Sequence, residues 1–587
     1  MRMLRNLLTG LWRAPAAAAR AAREEKAVFA LGPAISAFNR GQHEEAVRAC
    51  ESVIAGQPDS AQARHLCGRA LMALGRQAEA ENLLQAALRL DPQLADAYAD
   101  LATIRLEGGD HEAAEQFSRA AVDAQPLEAR YHELLANVLE STDRDREALA
   151  ELSAALDCAP ERVDLLLRVC SGLDHAGRHR EMLPLAERAI AESGESFETL
   201  CCLALAQFGV DDLDGSVATA RKALRLRTDK APPYVALGTA LFELGQTEEA
   251  LAAHRRALKL EPGSAAARYD IGLINLMRGR FREGWEDFDQ RLRLQKARAW
   301  RSCEPRWNGT ALNGRTILVM REQGLGDEIM HASCYPDLLR QQAQCHIECD
   351  PRLERLFARS FTGAHFHPLQ DLQTRVRTDP GVPVDVYSYA GSLPRYFRNG
   401  VQEFPVHDGY LKADPEQVAH WRRRLAALGP GLKVGISWRG GAAVTRRARR
   451  SLDLTQLLPL LTVAGVHWIN LQYGDRGGEI ADFTAAQGIA ITDWPEAIDG
   501  DYDDTAALVS ALDLVISVCT SVVHLAGALG RPAWVMTPRI PEWRYGLDRD
   551  TMLWYPSVKL FRQPVRGEWS PVIADIRERL VIKFGGA

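Results

Sequence analysis

Through the first half of the chain the apolar positions fall into helical blocks, each divided by a short glycine-and-acid signal. Examples are LGRQAEAENLLQAAL (74–88), EGGDHEAAEQFSRAAV (107–122) and LGQTEEALAAHRRAL (244–258). The pattern predicts paired helices joined by tight turns. From about residue 316 short β-branched runs take over: TILVM (316–320), KVGISW (433–438), VHWINLQY (466–473), DLVISV (513–518) and PAWVM (532–536). They alternate with helical stretches such as LTQLLPLLTVAG (454–465) and DTAALVSAL (504–512), and strand–helix alternation predicts doubly wound parallel sheets. Tryptophan marks the same change, because none lies between Trp12 and Trp285 and eleven of the twelve lie from Trp285 onward.

The helical half keeps a fixed register. Pro58, Pro92, Pro126, Pro160 and Pro262 stand 34 residues apart or at whole multiples of 34, with Gly194 and Thr228 at the two intervening stations. Ten residues past the stations sit small residues: Gly68, Ala102, Ala136, Cys170, Ala204, Gly238 and Gly272. Small residues let two helices approach closely, and a proline ends the second helix before the next unit begins. This pattern resembles the tetratricopeptide repeat, whose units share one continuous core when stacked. The register predicts about seven units between residues 61 and 294 and a degenerate one at 27–60. Such an α-solenoid implies a groove for peptides or protein partners; propping up the second half or self-association is the plainer use.

The expected organisation is a basic leader (1–26), the solenoid (27–296), a linker (297–313), a first α/β lobe (314–431) and a second α/β lobe with a C-terminal helix (432–587). The lobes divide where DPEQVAHWRRRLAAL ends at Gly429-Pro430-Gly431. Two such lobes make a cleft at the carboxyl ends of their strands.

Three segments bring chemistry to that cleft. After TILVM comes Gly324-x-Gly326, then a helix beginning about Asp327. The glycines permit a tight turn and close approach by a ligand. Asp327 and Glu328 read most simply as helix caps, and Asp327 as a general base in the functional reading. After DLVISV, Thr520 and Ser521 open a helix carrying His524, and hydroxyls with free amides at a helix start suit a pyrophosphate. A lone helix histidine is more often structural; the context here raises the functional reading. The third segment, GISWRGGAAVTRRARRSLDL, places Gly440-Gly441 and Arg439, Arg446, Arg447, Arg449 and Arg450 in one loop. A charge run is usually a solvated face; here Arg439 and Arg450 are candidates to clamp a diphosphate. Asp504 and Thr505 read as a helix cap and as further donor-site candidates, and no metal is expected.

Composition narrows the classes. At 587 residues the chain is too long for one core. A net charge of −6 argues against a general nucleic-acid binder. Eleven scattered cysteines form neither a zinc pattern nor a disulfide framework, so a reducing cytosol is expected. No run approaches the roughly 18 apolar residues of a membrane-spanning helix. Residues 1–23 hold no acid, and Leu4, Leu7, Leu8, Leu11 and Trp12 share a helical face. A solvated leader or cap is the simpler expectation, and a helix lying on a membrane surface the sharper one. Gly324-x-Gly326 lacks the third glycine of a dinucleotide fingerprint.

As a set, FREGWEDFDQRL, EQGLGDEIMHASCYPDLL, VGISWRGG, RRSLDLTQLLPLL, NLQYGD, DYDDTAALVSALDLVISVCTSVVHLAGALGRPAWVMTP, EWRYG, WYPSVKLFRQ and GEWSPVI, in order over about 281–580, resemble the heptosyltransferase-like glycosyltransferases fused behind tetratricopeptide repeats. The layout is also similar to protein O-linked N-acetylglucosamine transferases. The resemblance implies two Rossmann-like lobes of GT-B type and transfer of a sugar, usually with inversion, from a nucleotide-diphosphate donor to an acceptor hydroxyl on a protein or glycan. The nucleotide sugar is a substrate, and no cofactor is implied. The family's acceptor base falls on Asp327, its phosphate-helix Thr and His on Thr520 and His524, its Arg-Ser on Arg450 and Ser451, and its LQ strand end on Gln472. Two departures stand out. Cys519 replaces a common Asp, and residues 441–447 lack the family's Asn-Pro, His and Asn-Asp. A thiol does not reproduce a carboxylate's hydrogen bonds. These departures motivate the rival expectation, a non-catalytic repeat scaffold with a degenerate transferase-like half.

Overall fold

The computed structural model describes residues 30–294, 305–369, 381–440, 447–474 and 478–584. The expected leader, most of the linker's first half and loop residues 441–446 lie outside them. The chain forms two compact units that divide between Val210 and Asp211.

The first unit is helical throughout. After a helix at 30–39, helices His43–Gly56, Ala61–Ala73, Gln77–Leu90, Ala95–Glu107 and His111–Ala124 follow one another with the predicted period, and the series continues to Phe197–Gly209. Ala102 and Ala136 are wholly buried, and a Cβ on Gly68 would stand 2.9 Å from Leu84 Cδ2. These small positions are where neighbouring helices touch, as the register predicts.

A second periodic position sits in the turn inside each pair. Residues 41, 75, 109, 143, 177, 211, 245 and 279 all have φ between +59° and +82°. Six are glycine; Asp143 and Asp211 fill the other two, and aspartate tolerates this left-handed region better than most residues. A Cβ on Gly75 would meet nothing within 4 Å, so its cost is purely conformational. Gly75→Ala is expected to destabilise the first unit by about 1 kcal/mol, read from its far-ultraviolet melting curve.

The second unit opens with helices Leu213–Leu226, Pro232–Glu243, Thr247–Leu260, Ala265–Met277 and Phe281–Phe288, then a short turn of helix Arg291–Leu294. Two sheets follow. The first holds β1 (Thr316–Met320), β2 (Gln344–Cys349), β3 (Ala364–Pro368) and β4 (Val386–Tyr389) in the order β3-β2-β1-β4, all parallel. The second holds β5 (Leu432–Ser437), β6 (Val466–Asn470), β7 (Ile491–Thr492), β8 (Leu514–Val518), β9 (Ala533–Thr537), β10 (Thr551–Met552) and β11 (Tyr555–Arg562), in the order β10-β11-β9-β8-β5-β6-β7. Only β10 is antiparallel to its neighbour. β1, β8 and β9 are buried at every residue, which explains their unbroken apolar runs. Strand order reverses between β1 and β4 and between β5 and β8, the switch points where open parallel sheets bind ligands.

One core joins the last repeats to both sheets. Leu276, Phe281, Trp285 and Phe288 pack in the same cluster as Ile317, Val515, Trp543 and Trp554. Trp285 Nε1 donates to the Arg398 carbonyl at 2.7 Å, and the linker's end is tied in where Trp307 N donates to the Tyr387 carbonyl at 2.7 Å. The helix Ser570–Phe584 covers the other face of the second sheet, where Val572, Ile573, Ile576 and Leu580 meet Val434, Ile436 and Met536. Among the described residues no helix is long and apolar enough to cross a membrane.

Candidate functional site

A cavity of about 1750 Å³ opens at the carboxyl ends of the second sheet and faces the end of β1. Its walls include Gln323–Asp327 after β1, Tyr473 after β6, Asp493 after β7, Cys519–Ser521 and His524 after β8, and residues 540–545 after β9. Thr239, Phe242, His254, Tyr269 and Asp270 close it on the solenoid side. The volume exceeds the roughly 300–1,000 Å³ of an ordinary small-molecule pocket.

Two helix starts meet in this cavity. Helix Leu325–His331 begins two residues earlier than expected, with Gly324 as its N-cap. The left-handed residue of the turn is Gln323, at φ +62°, while Gly324 is extended. The Gly324 amide donates to Asp327 Oδ2 at 3.3 Å, so the capping reading of Asp327 holds in the geometry. A Cβ on Gly326 would stand 3.0 Å from His524 Cδ2 and 3.2 Å from Ser521 Cα, so the missing side chain is what admits helix Ser521–Ala528. Glu328 turns away from the cavity, accepting from Arg321 and, at 2.9 Å, from the Asp350 amide.

Asp327 faces Arg544, whose Nη1 lies 2.5 Å from Oδ1. Burial opposes ionisation of this carboxyl, but the Arg544 guanidinium outweighs it and holds the pKa below the usual range. His524 Nδ1 lies 3.1 Å from the Tyr555 hydroxyl. Burial, followed by the positive charge of Arg544, pushes the His524 pKa down to about 3, so its ring is neutral near pH 7. An unfolded chain protonates this imidazole near pH 6.5 and the folded one does not. Stability from His524 is therefore present above pH 6.5 and lost as pH falls toward 3. The loss runs at about 1.4 kcal/mol per pH unit, and His524→Gln is expected to flatten that part of a chemical-denaturation series between pH 6.5 and 5.

Thr520 is the extended N-cap of its helix, and its hydroxyl turns back to Ser517 Oγ at 3.1 Å. Ser521 Oγ accepts from the Tyr502 hydroxyl at 2.9 Å. Cys519 beside them is buried, and that burial pushes its thiol up to about 11, so it stays neutral at the helix tip. Arg450 lines the cavity and is ion-paired with Glu542.

The structure brings Asp327, His524, Thr520, Ser521, Arg450, Gly324 and Gly326 to one cavity, and leaves other sequence candidates outside its walls. Arg439 pairs with Glu479 at 2.7 Å. Gly440 packs against the turn after β8, where a Cβ would stand 2.6 Å from the Cys519 carbonyl, and its amide donates to Ser451 Oγ at 3.3 Å. Gln472 is a brace: its Oε1 accepts from Ser437 Oγ, Trp438 N and Arg439 N at 3.1, 3.2 and 2.8 Å. The cap of helix Tyr502–Ala511 is Asp501, which accepts from the Asp503 amide at 3.1 Å; this corrects the assignment to Asp504 and Thr505. Thr505 donates to the Ala497 carbonyl at 2.6 Å, and Asp504 is half-buried near Asp501 and Asp503. Among the described residues no group of three His, Cys, Asp or Glu could hold a metal ion.

The sequence did not single out Arg544, Glu542 or Asp493 among the wall residues. Arg544 and Glu542 lie in EWRYG, a stretch with no motif spacing of its own. Asp493 directly follows the two-residue strand β7 and accepts from Asn470 Nδ2 at 2.7 Å.

With this geometry in hand, comparison with known proteins gives a class and then a family. Residues 37–93 and 78–138 match one tetratricopeptide-repeat family model, and residues 235–296 match another. The helical part of the chain is a tetratricopeptide-repeat solenoid, a protein-interaction module. The whole chain is 30% identical over 539 residues to protein FlbA of Caulobacter vibrioides, a match covering 88% of this chain and 89% of that protein. The chain belongs to the FlbA family. It is also 24% identical over 246 residues to the peroxisomal targeting signal receptor of Saccharomyces cerevisiae, covering 42% of this chain and 36% of the receptor. Among solved structures, MamA from Desulfovibrio magneticus matches 29% of this chain and 96% of its own, at 17% identity and a TM-score of 0.27.

Proposed function

We propose that the second unit is an inverting glycosyltransferase of GT-B type that uses a nucleotide-diphosphate sugar, with the repeats recruiting the acceptor or its carrier. The observation that carries this reading is the convergence in one cavity of a carboxylate from the end of β1 with a helix tip and two arginines from the second sheet. In the proposed step the acceptor hydroxyl oxygen attacks the anomeric carbon from the face opposite the diphosphate. Asp327 takes the hydroxyl proton, the new carbon–oxygen bond forms, and the old bond breaks with its electron pair leaving on the diphosphate. Arg450, Arg544 and the amides at the start of Ser521–Ala528 meet that charge, so the step needs no metal. The neutral thiol of Cys519 adds no repulsion to the leaving group. The cavity's volume accommodates donor and acceptor together, and its solenoid wall supports an acceptor presented by the repeats.

The test is incubation of the purified chain with a panel of UDP-, GDP- and ADP-activated sugars, following nucleotide release with and without added protein acceptors. Release dependent on one donor is expected. Failure of every nucleotide diphosphate to bind, measured by calorimetry, overturns the enzyme reading in favour of the scaffold that Cys519 and the altered loop motivate.

A further inference from the structure

Arg450 and Arg544, two of the arginines that line the cavity, are each matched to a carboxylate. Arg450, from the turn Arg447–Arg450, is paired with Glu542, and Arg544 reaches across to Asp327 on the other wall. Arg544 belongs to the turn Trp543–Tyr545 after β9, whereas Asp327 belongs to the helix after β1, so this pair links the candidate base to the diphosphate side. Both partners retain some exposure to the cavity, 17% for Arg544 and 20% for Asp327, and Arg544 Nε has no hydrogen-bond partner. The guanidinium is thus held mainly by Asp327 and by the face of Trp543, 5.7 Å from the ring centre.

Resting on the proposed sugar transfer, we infer that Asp327 and the donor's diphosphate compete for Arg544, so that donor binding is what releases Asp327 to act as a base.

The chemistry follows from charge. A carboxylate paired with a guanidinium is a weak base, because taking a proton forfeits the pair. A diphosphate brings more negative charge and a bidentate acceptor for the guanidinium fork. Arg544 and Arg450 both act on His524 and Cys519, so both lie near the helix tip where the diphosphate is proposed to sit. Once Arg544 turns to the diphosphate, Asp327 faces the buried neutral His331 on its own helix, His524 on the opposing helix, Tyr269 from the last repeat, Tyr555 from β11 and the Gly324 amide. None of these carries a compensating positive charge near pH 7, so the carboxylate becomes more basic only in the donor complex. The order of binding is set as a consequence: donor first, acceptor second.

The test is calorimetric titration of the full chain with UDP, GDP, ADP and CDP, comparing wild type with Asp327→Asn and Arg544→Met. Competition predicts opposite signs. Asp327→Asn removes the competitor and binds the preferred nucleotide diphosphate about tenfold more tightly, while Arg544→Met binds it tenfold or more weakly. A pair that merely holds the two walls together predicts weaker binding in both variants. Unchanged or weaker binding by Asp327→Asn overturns the inference and leaves the proposed function standing. If wild type binds none of the four, the function and the inference fall together. The Asp327→Asn arm decides the question even if Arg544→Met does not fold, because a gain in affinity is not produced by misfolding.

Discussion

Asp327→Asn is expected to lower sugar transfer by on the order of a hundred- to ten-thousand-fold, the range for losing a positioned general base. The amide keeps the size and the acceptor oxygen of the carboxylate, and the Gly324 amide can still donate to it. It cannot accept the acceptor's proton. The defect should therefore appear in kcat, with donor affinity improved once Arg544 is free. This pattern separates a lost base from a lost fold, since misfolding lowers binding and turnover together. The measurement is initial rate of nucleotide release against donor concentration at fixed acceptor. Wild-type rates for Asp327→Asn would falsify the assignment of the base. A parallel fall in donor binding would instead make Asp327 a structural cap, the role its bond to Gly324 already supports.

How much of this was legible in the chain depends on what kind of constraint each residue answers. The solenoid was legible because small residues and prolines recur where helices must touch and end, and the structure buries Ala102, Ala136 and Gly68 at those contacts. The turn position at 143 and 211 was hidden, because aspartate there satisfies a backbone requirement that six other units meet with glycine. The strands were legible as β-branched runs because both faces of β1, β8 and β9 are covered. The division at Val210 was not, since the repeat register runs through it unchanged. It arises from packing, in that the later repeats share a core with the sheets. Gln472 and Arg439 show a different limit. Residue type and strand end placed them beside the cleft, but the direction of a side chain at a strand end depends on partners elsewhere, here the amides of Trp438 and Arg439 just after β5, and Glu479. Arg544 is the converse case. Its partner Asp327 lies more than two hundred positions earlier, so no local spacing could have joined them.

The attachment of the last repeat to the first sheet should be the second unit's most sensitive point. Arg291 is fully buried and holds Glu322 through Nε at 2.9 Å and Nη2 at 2.5 Å, Asp289 through Nη1 at 2.9 Å, and Ser392 Oγ at 3.0 Å. Gly391 is the floor of this cluster: a Cβ there would lie 2.8 Å from both Arg291 Nη2 and Glu322 Oε1. Arg291→Ala leaves two buried carboxylates without their fork. Asp289 keeps Arg306 at 2.7 Å, but Glu322 is left with the Gly391 amide at 2.8 Å. Removing one partner of a buried pair costs about 3–5 kcal/mol, far more than the pair itself contributes over apolar packing. Arg291→Lys should recover only part, because an ammonium cannot serve the two Glu322 oxygens and Asp289 in one plane. Tryptophan fluorescence is the suitable probe, since eleven of the twelve tryptophans lie in the second unit and dominate the signal. A fluorescence midpoint in urea that moves sharply down for Arg291→Ala, with the first unit's far-ultraviolet transition unmoved, is the expected result. Glu322 immediately precedes Gln323 and the turn that delivers Asp327, so the same variant should lose donor binding before it unfolds. A variant that unfolds at the wild-type midpoint would mean that the apolar contacts of Trp285 and Phe288, and not this charge cluster, fasten the repeats to the sheet.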